Sequence, residues 1–226
     1  MKHLKINPQN PQPPTRDHHD HPSSLPAAKA TKLHPTNASD DADASIFFVG
    51  TATTILEWAG LRLMTDPNFL HAGDHVHLGP GVTGERVTNP AIDLHELPPI
   101  DVVLLSHYHG DHFDQKVEAS LRRTLPIITT PHAKDCLTAK KEEGEKFEEV
   151  YDLDFWQSMM VDVEGVEEEG RWPAIKVTGM PGKHVPPGPL SVANDILKAV
   201  GKIRCVPGLQ SRLLSEFRYL LRTAGW

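Results

Sequence analysis

The chain has 226 residues, of which 38% are apolar and 23% charged, which suits one packed domain of ordinary size. No apolar run approaches the roughly 18 residues of a membrane-spanning helix, and a net charge of −7 disfavours binding to nucleic acid. The first residues lack the apolar stretch of a secretion signal, and two cysteines are too few for a disulfide framework, so we expect a cytoplasmic protein.

The composition divides the chain into three parts. Residues 1–45 contain seven prolines, five histidines and no aromatic residue, which predicts a disordered Pro/His-rich arm. Residues 46–200 have the texture of a folded domain. Residues 201–226 are basic, with leucines at helical spacing, and predict an amphipathic helix. That helix either packs on the domain or contacts a membrane or a partner.

Strands and helices alternate from residue 46 onward. The predicted strands are residues 46–49, 53–58, 61–65, 102–105, 127–130, 149–153, 155–163 and 174–180. Asp114 and Thr130 are each expected to cap a helix, and residues 66–99 to form a long surface loop. Strands that alternate with single helices indicate an α/β layered domain.

One short segment, residues 106–112, concentrates side chains that bind metal ions. It follows an apolar strand directly and reads Ser-His-Tyr-His-Gly-Asp-His. In an extended backbone His107 and His109 point to one side, and a turn at the glycine brings Asp111 and His112 toward a neighbouring point. Imidazole and carboxylate ligands suit zinc, iron or manganese. The alternative is a loop of solvated histidines, which gives no reason for a buried strand to lead into it.

The pattern His-x-His-x-Asp-His at 107–112 resembles the signature of the metallo-β-lactamase-fold hydrolases. Further motifs agree with it: Gly-Thr-Ala-Thr at 50–53, Thr-Asp-Pro at 65–67 and Leu-Pro-Pro-Ile-Asp at 97–101. Together they are similar to the branch that contains ascorbate-6-phosphate lactonase and the phospholipase D acting on N-acyl-phosphatidylethanolamines. The resemblance covers roughly residues 46–190 and implies a metallo-β-lactamase-like αββα sandwich of the α/β class.

The resemblance also implies a ligand set for one or two zinc ions. His107, His109 and His184, the last in a Pro-Gly-Lys-His segment, would form a first site whose fourth position stays open for catalysis. Asp111 and His112 would contribute to a second site.

Other residues receive supporting roles. The resemblance implies that Asp111 also orients the attacking water and that Asp66 supports the ligands from behind. Tyr108 is expected to pack and not to react. His75 and His77 either line the mouth of the substrate site or are solvated loop histidines.

The family pattern is not continued after His184. Related proteins supply a bridging aspartate and a final histidine there, whereas this chain has no further histidine and a single aspartate, Asp195, in an unlike setting. We therefore expect an incomplete sandwich, an N-terminal half with a divergent tail. A truncated or frame-shifted gene would give this pattern.

These observations predict a zinc-dependent hydrolase that acts on an ester, lactone or phosphodiester in a small-molecule or lipid-like substrate. The alternative is a non-catalytic remnant of the same fold that lacks the second metal site. A nuclease is a third reading, disfavoured by the net negative charge.

Overall fold

Two β-sheets packed face to face form the body of the protein in this computed structural model. The structure describes residues 1–16, 21–32, 44–79, 82–139, 142, 144–165, 173–181 and 219–223.

The larger sheet has six strands in the order β2-β3-β4-β7-β8-β9. They are β2 (Ala44–Gly50), β3 (Thr53–Trp58), β4 (Leu61–Thr65), β7 (Val102–Leu104), β8 (Ile127–Thr129) and β9 (Val150–Asp152). The first three run antiparallel, and β4, β7, β8 and β9 run parallel. The loops after these parallel strands therefore meet at one edge of the sheet, where open α/β sheets bind ligands.

The smaller sheet has four strands in the order β1-β10-β11-β12. They are β1 (Lys2–Ile6), β10 (Ser158–Val163), β11 (Ala174–Gly179) and β12 (Tyr219–Thr223). A separate hairpin pairs β5 (His75–Gly79) with β6 (Val82–Glu85), and a 3₁₀ turn covers Leu94–Glu96. The hairpin lies within the stretch that we expected to be a loop.

Both predicted helix starts are confirmed. Helix α1 (Gln115–Ser120) begins after Asp114, whose carboxylate accepts a hydrogen bond from the Val117 backbone N–H at 2.8 Å. Helix α2 (Pro131–Thr138) begins after Thr130, whose hydroxyl accepts from the Ala133 N–H at 3.2 Å. Each cap satisfies a helix N–H that would otherwise lack an intrahelical partner.

Two apolar clusters hold these layers together. One lies between the sheets and joins Leu63 and Leu104 of the larger sheet to Val161 and Val177 of the smaller one. The other lies between the larger sheet and the helices, where Val117 and Leu137 pack against strand side chains. The α/β class predicted from the sequence is therefore confirmed, with helices on one face of the larger sheet and a second sheet on the other. No helix in the described ranges has the length and apolar character needed to cross a membrane.

The prediction that residues 46–49 form a buried strand is wrong in part. They do lie in β2, but Ile46 is 72% exposed and Phe48 is 63% exposed. The reason is position, because β2 is the edge strand of its sheet and only β3 pairs with it among the described strands. Alternate side chains on one of its faces therefore face solvent.

The start of the predicted disordered arm, residues 1–45, is ordered structure. Strand β1 pairs in parallel with β10, and its alternate residues Leu4 and Ile6 are buried between the sheets. Thr15 forms a bridge with Leu121, and His21 lies within hydrogen-bonding distance of the Leu97 carbonyl. Leu4 and Ile6 are only two alternating apolar residues, which is too short a pattern to predict a strand in a proline-rich segment. The remainder of the arm, residues 17–20 and 33–43, falls outside the described residues.

The C-terminal segment differs from the prediction where the structure describes it. Residues Tyr219–Thr223 form β12, which pairs antiparallel with β11, whereas helical leucine spacing predicted an amphipathic helix. The physical reason is that the edge of β11 offers backbone hydrogen bonds, which override a short helical pattern. The rest of 201–226 lies outside the described residues.

The N-terminal strand gives a first test. We expect Leu4→Ala to lower the free energy of unfolding by about 2 kcal/mol or more, because Leu4 is only 7% exposed and fills space between the sheets. Urea unfolding followed by circular dichroism measures this change. Lys5→Ala, on the solvent side of the same strand, is the control and should change stability by less than about 1 kcal/mol. Equal effects of the two substitutions would contradict the pairing of β1.

A carboxylate shared by two arginines gives a pH-dependent test. The guanidinium of Arg16 lies 2.8 Å from one Glu145 oxygen and that of Arg123 lies 2.5 Å from the other. Hydrogen bonds from Arg16 first, and then from Arg123, lower the pKa of Glu145 from 4.5 to about 2.

Because the folded pKa is lowered, the stabilisation from Glu145 is fully present above the unfolded pKa and disappears as pH falls toward about 2. We expect wild type to be more stable than Glu145→Gln at pH 7 and the two to converge at pH values near 2. Urea midpoints across this pH range measure the difference. A gap between the two proteins that does not change with pH would contradict this assignment.

Candidate metal centre

The candidate site lies in the loop that follows β7, the central parallel strand. The strand continues to Leu105, whose N–H donates to the Ile128 carbonyl, and then the chain turns sharply. The N–H of His109 donates to the carbonyl of His107 at 3.2 Å, and the N–H groups of His112 and Phe113 both donate to the carbonyl of His109. The expectation of an extended backbone at 107–109 is therefore wrong, because these local hydrogen bonds coil the segment.

This coil gathers three of the predicted ligands. His107, Asp111 and His112 each offer one ligand atom, and the three atoms lie within 4.8 Å of one another. The ring centroids of His107 and His112 are 4.0 Å apart. His112 Nε2 lies 3.8 Å from Asp111 Oδ2. The family resemblance divides these residues between two metal sites, whereas the structure brings all three together.

Asp66 is the residue that orients this cluster. Its Oδ1 accepts a hydrogen bond from the Ser106 N–H at 2.6 Å, and its Oδ2 accepts from the Ser106 hydroxyl at 2.9 Å. The same Oδ2 lies 3.0 Å from His112 Nδ1. Asp66 follows β4, which pairs in parallel with β7, so neighbouring strand ends supply the carboxylate and the loop that it holds. The role predicted for Asp66 thus has contacts that suit it.

The hydrogen bonds assign the ring nitrogens that face the cluster. Asp66 can only accept when ionised, so His112 donates to it from Nδ1, and its Nε2 carries the lone pair and lies 3.8 Å from Asp111 Oδ2. The Ser106 hydroxyl donates to Asp66 and therefore accepts from His107 Nδ1, which lies 2.9 Å away. His107 also keeps an Nε2 lone pair. A carboxylate behind a ligand histidine is the arrangement that metal sites use to fix the tautomer.

A buried oxygen shows that these residues fit a cation. Asp111 Oδ1 is inaccessible to solvent and has no hydrogen-bond partner within the described parts of the chain. An unpaired buried carboxylate oxygen costs free energy unless a donor or a cation meets it. Together with the two imidazole lone pairs, it forms a donor set of nitrogen and oxygen that zinc, iron and manganese accept.

His109 lies beside the cluster. Its ring centroid is 5.0 Å from that of His107, in an edge-on arrangement, and its side chain lines an adjoining cleft. Burial lowers the pKa of the His109 imidazole, and the nearby Asp111 carboxylate opposes this shift. A neutral imidazole can serve as a metal ligand, so its predicted role in a three-histidine site stays a prediction. The third member, His184, lies outside the described residues.

The adjoining cleft has a volume of about 480 Å³. His75 and His77, both from β5, line it together with His109, and Tyr108 and Phe113 form apolar parts of its wall. The hydroxyl of Tyr108 donates to the Glu118 carboxylate, in keeping with the packing role expected for this residue. The suggestion that His75 and His77 border a substrate site remains a prediction, and their positions in this cleft suit it.

Sequence reasoning missed a second layer of polar residues under the loop. Arg86 is 9% exposed and donates from Nη1 to Thr51 Oγ1 at 3.0 Å and to Asn68 Oδ1 at 3.2 Å. Asn68 in turn donates to the Gly110 carbonyl in the metal-binding loop. Gly50 leaves room for the guanidinium, because a Cβ there would lie 2.9 Å from Arg86 Nη2. No local pattern marks these residues, since their partners are distant in sequence.

The protein is thus a layered α/β domain that carries, at the end of a parallel strand, two imidazoles and a carboxylate able to hold a cation. The comparison with protein families agrees. Residues 78–188 match the model described as the beta-lactamase superfamily domain.

Two curated relatives each match part of the chain. An uncharacterized protein of Mycobacterium tuberculosis is 34% identical over 95 residues, which are 42% of this chain and 25% of that protein. The mitochondrial N-acyl-phosphatidylethanolamine-hydrolyzing phospholipase D of Saccharomyces cerevisiae is 28% identical over 116 residues, which are 50% of this chain and 23% of that protein. The chain thus spans about a quarter of the length of the curated relatives that it matches.

Solved structures give more distant similarities. A possible metal-dependent hydrolase from Veillonella parvula has a TM-score of 0.48 and 16% identity, over 79% of this chain and 58% of that one. An isothiocyanate hydrolase from Delia radicum gut bacteria has a TM-score of 0.46 and 18% identity, over the same shares of both chains, 79% and 58%.

The Asp66 contacts generate a test of the site. We expect Asp66→Asn to weaken binding of Zn²⁺ by about 10- to 100-fold, because the amide can no longer accept from both Ser106 and His112 as a carboxylate does. Asn tolerates the positive φ of 35° at this position, so the backbone is preserved. Competition with a chromogenic chelator measures the affinity.

Asp162→Asn is the matched control. Asp162 also pairs with a histidine, since its Oδ2 lies 2.7 Å from His3 Nδ1, but it belongs to the smaller sheet. We expect its substitution to leave Zn²⁺ affinity unchanged. Identical affinities for Asp66→Asn and wild type would show that the carboxylate does not support the metal ligands.

Proposed function

We propose that this protein is a zinc-dependent hydrolase that uses an activated water on an ester, lactone or phosphodiester. The observation that carries this proposal is the cluster of His107, Asp111 and His112, whose ligand atoms lie within 4.8 Å of one another. Within it, Asp111 Oδ1 is buried and has no hydrogen-bond partner among the described residues. The match of residues 78–188 to the beta-lactamase superfamily domain supports it. The yeast relative is named as a phospholipase, which supports a lipid-like substrate.

Each residue of the cluster has a task that follows from its contacts. His107, Asp111 and His112 would hold the cation, with His109 and His184 as further ligands predicted by the resemblance. A bound zinc ion supplies a Lewis acid and brings the pKa of a coordinated water to about 7. Asp111 would orient that water through its carboxylate. Asp66 would keep His112 in the tautomer whose Nε2 faces the cluster.

The adjoining cleft is the proposed substrate site. It opens beside His109 and combines apolar wall residues, Phe113 and Leu70, with the imidazoles of His75 and His77. Such a mixture suits a molecule with an apolar body and a polar reacting group. The ester or phosphodiester would lie at the His109 end, next to the metal-binding cluster, and the apolar part would lie along the wall.

Metal content of the purified protein tests this proposal. We expect one or two equivalents of zinc in wild type, and esterase activity that a chelator removes and added zinc restores. His112→Ala and His107→Ala should each lose most of the bound metal and the activity. His71→Ala is the matched control, because this exposed histidine pairs with Asp93 outside the cluster and should change neither property.

His184→Ala tests the ligand that only the resemblance predicts. Loss of metal in this variant, at unchanged stability, would support a three-histidine site. The alternative, a non-catalytic remnant of the fold, predicts that wild type retains no metal after purification and gains no activity when zinc is added. That result would overturn the proposed function.

A further inference from the structure

The turn between β9 and β10 presents two aromatic side chains to solvent. Phe155 is 49% exposed and Trp156 is 66% exposed, and among the exposed large apolar residues of the described ranges they are the one adjacent pair. Trp156 has a φ of 64°, a left-handed conformation that a bulky residue rarely adopts. A strained residue that displays an aromatic ring outward indicates that the display has a use.

Backbone hydrogen bonds fix this turn firmly. The N–H of Gln157 donates to the Asp154 carbonyl at 3.0 Å, and the N–H of Trp156 donates to the Gly179 carbonyl at 2.7 Å. Gly179 also fits closely, since a Cβ there would lie 2.7 Å from the Asp154 carbonyl oxygen. The aromatic pair is therefore held on the end of the smaller sheet by both β10 and β11, and little ordering is needed before it binds a partner.

The turn lies at the same edge of the protein as the metal-binding loop. Strands β7, β8 and β9 are adjacent and parallel, with Leu104 level with Ile128, and Thr129 level with Asp152. The metal-binding loop follows β7 and the aromatic turn follows β9, two strands away. At the usual spacing between strands, the two loops begin about 10 Å apart.

The size and charge of this surface point to lipid. A protein partner usually buries about 800 Å² on each side, more than two side chains supply, whereas Trp and Phe alone partition well into the lipid–water interface. Near the turn, Lys134 at 2.8 Å and Lys2 at 3.5 Å pair with Asp152, and Asp154 supplies the second negative charge that balances the two lysines. Among the described residues around the turn there is therefore no basic excess that would select anionic lipids.

We propose that the aromatic turn, Phe155 and Trp156, inserts into the interface of a zwitterionic lipid bilayer and holds the metal-binding edge against it. The docking itself stands on the turn alone. Its consequence for catalysis, that the substrates are amphiphiles taken from a lipid surface, rests on the proposed function. The cleft beside His109 lies at this same edge and would receive the reacting group of such a molecule.

Flotation with phosphatidylcholine vesicles tests the docking. We expect wild type to float with the vesicles and the double variant Phe155→Ser/Trp156→Ser to bind about tenfold more weakly or worse. The matched control is Ile46→Ser/Phe48→Ser, which removes two apolar side chains of similar exposure from β2 and should leave binding unchanged. Equal binding by all three proteins, or no binding by wild type, would overturn the proposal.

Fluorescence gives a second readout that does not depend on stability. Brominated phosphatidylcholine should quench the emission of wild type, and Trp156→Phe should lose most of this quenching while it still floats with vesicles. Analytical sedimentation without lipid measures the oligomeric state and so tests the alternative occupant of the turn, a second copy of the chain. A change of oligomeric state in the double variant would show that the turn binds a second copy of the chain, and would overturn the proposal.

Rates of hydrolysis measured on a soluble and on a vesicle-embedded ester distinguish a failure of the docking proposal from a failure of the proposed function. We expect the double variant to retain its zinc and its rate on a water-soluble ester, and to lose about tenfold or more of its rate on the same ester group embedded in vesicles. Vesicle binding without any hydrolysis would refute the proposed function and leave the docking intact. Hydrolysis of the soluble ester without vesicle binding would refute the docking alone.

Discussion

The candidate site depends on one carboxylate, that of Asp66. Its two oxygens accept from the backbone and hydroxyl of Ser106 and face His112 Nδ1, so they fix both the start of the metal-binding loop and the tautomer of a ligand. Asp66 is only 8% exposed, and these three contacts offset the free-energy cost of removing its negative charge from water. If this carboxylate were displaced, the loop would lose its anchor and His112 its orientation at once.

Sheet architecture explains why Asp66 is within reach of the loop. Asp66 follows β4 directly. Because β4 pairs in parallel with β7, the segments that follow the two strands begin at the same edge of the sheet. The N–H of Asp66 donates to the Leu104 carbonyl at 3.0 Å, which extends the pairing by one residue. The strained φ of 35° then points the carboxylate across to Ser106. The cost of this conformation, of the order of 1–3 kcal/mol, is offset by three charge-assisted contacts.

Local signals in the sequence predicted the parts of the fold that local interactions determine. The caps at Asp114 and Thr130 require only a side chain and an N–H three residues away, and both are as predicted. The exposure of Phe48 and the pairing of β1 depend on which strands lie beside them, and no local pattern contains that information. Two alternating apolar residues in a proline-rich segment do not predict a strand unless the strand that pairs with them is known, here β10.

The site shows the same division. The spacing of His107, Asp111 and His112 within one loop identified the cluster, because nearby residues stay close whatever the fold. Their geometry could not be predicted, since an extended backbone was assumed where local hydrogen bonds coil the chain. Asp66 is 40 positions from Ser106, and its role came from family resemblance and not from spacing.

Arg86 shows how the buried layer stabilises the site from a distance. A guanidinium that is removed from water needs acceptors, and those of Arg86 are neutral: Thr51, Asn68 and the Thr88 carbonyl. Its Nη2 has no hydrogen-bond partner in the described part of the chain, so its positive charge is only partly compensated. Asn68 is polarised by that charge and donates to the Gly110 carbonyl at 3.1 Å. The metal-binding loop is thus held from two sides, by an anion at Ser106 and by a cation acting through Asn68.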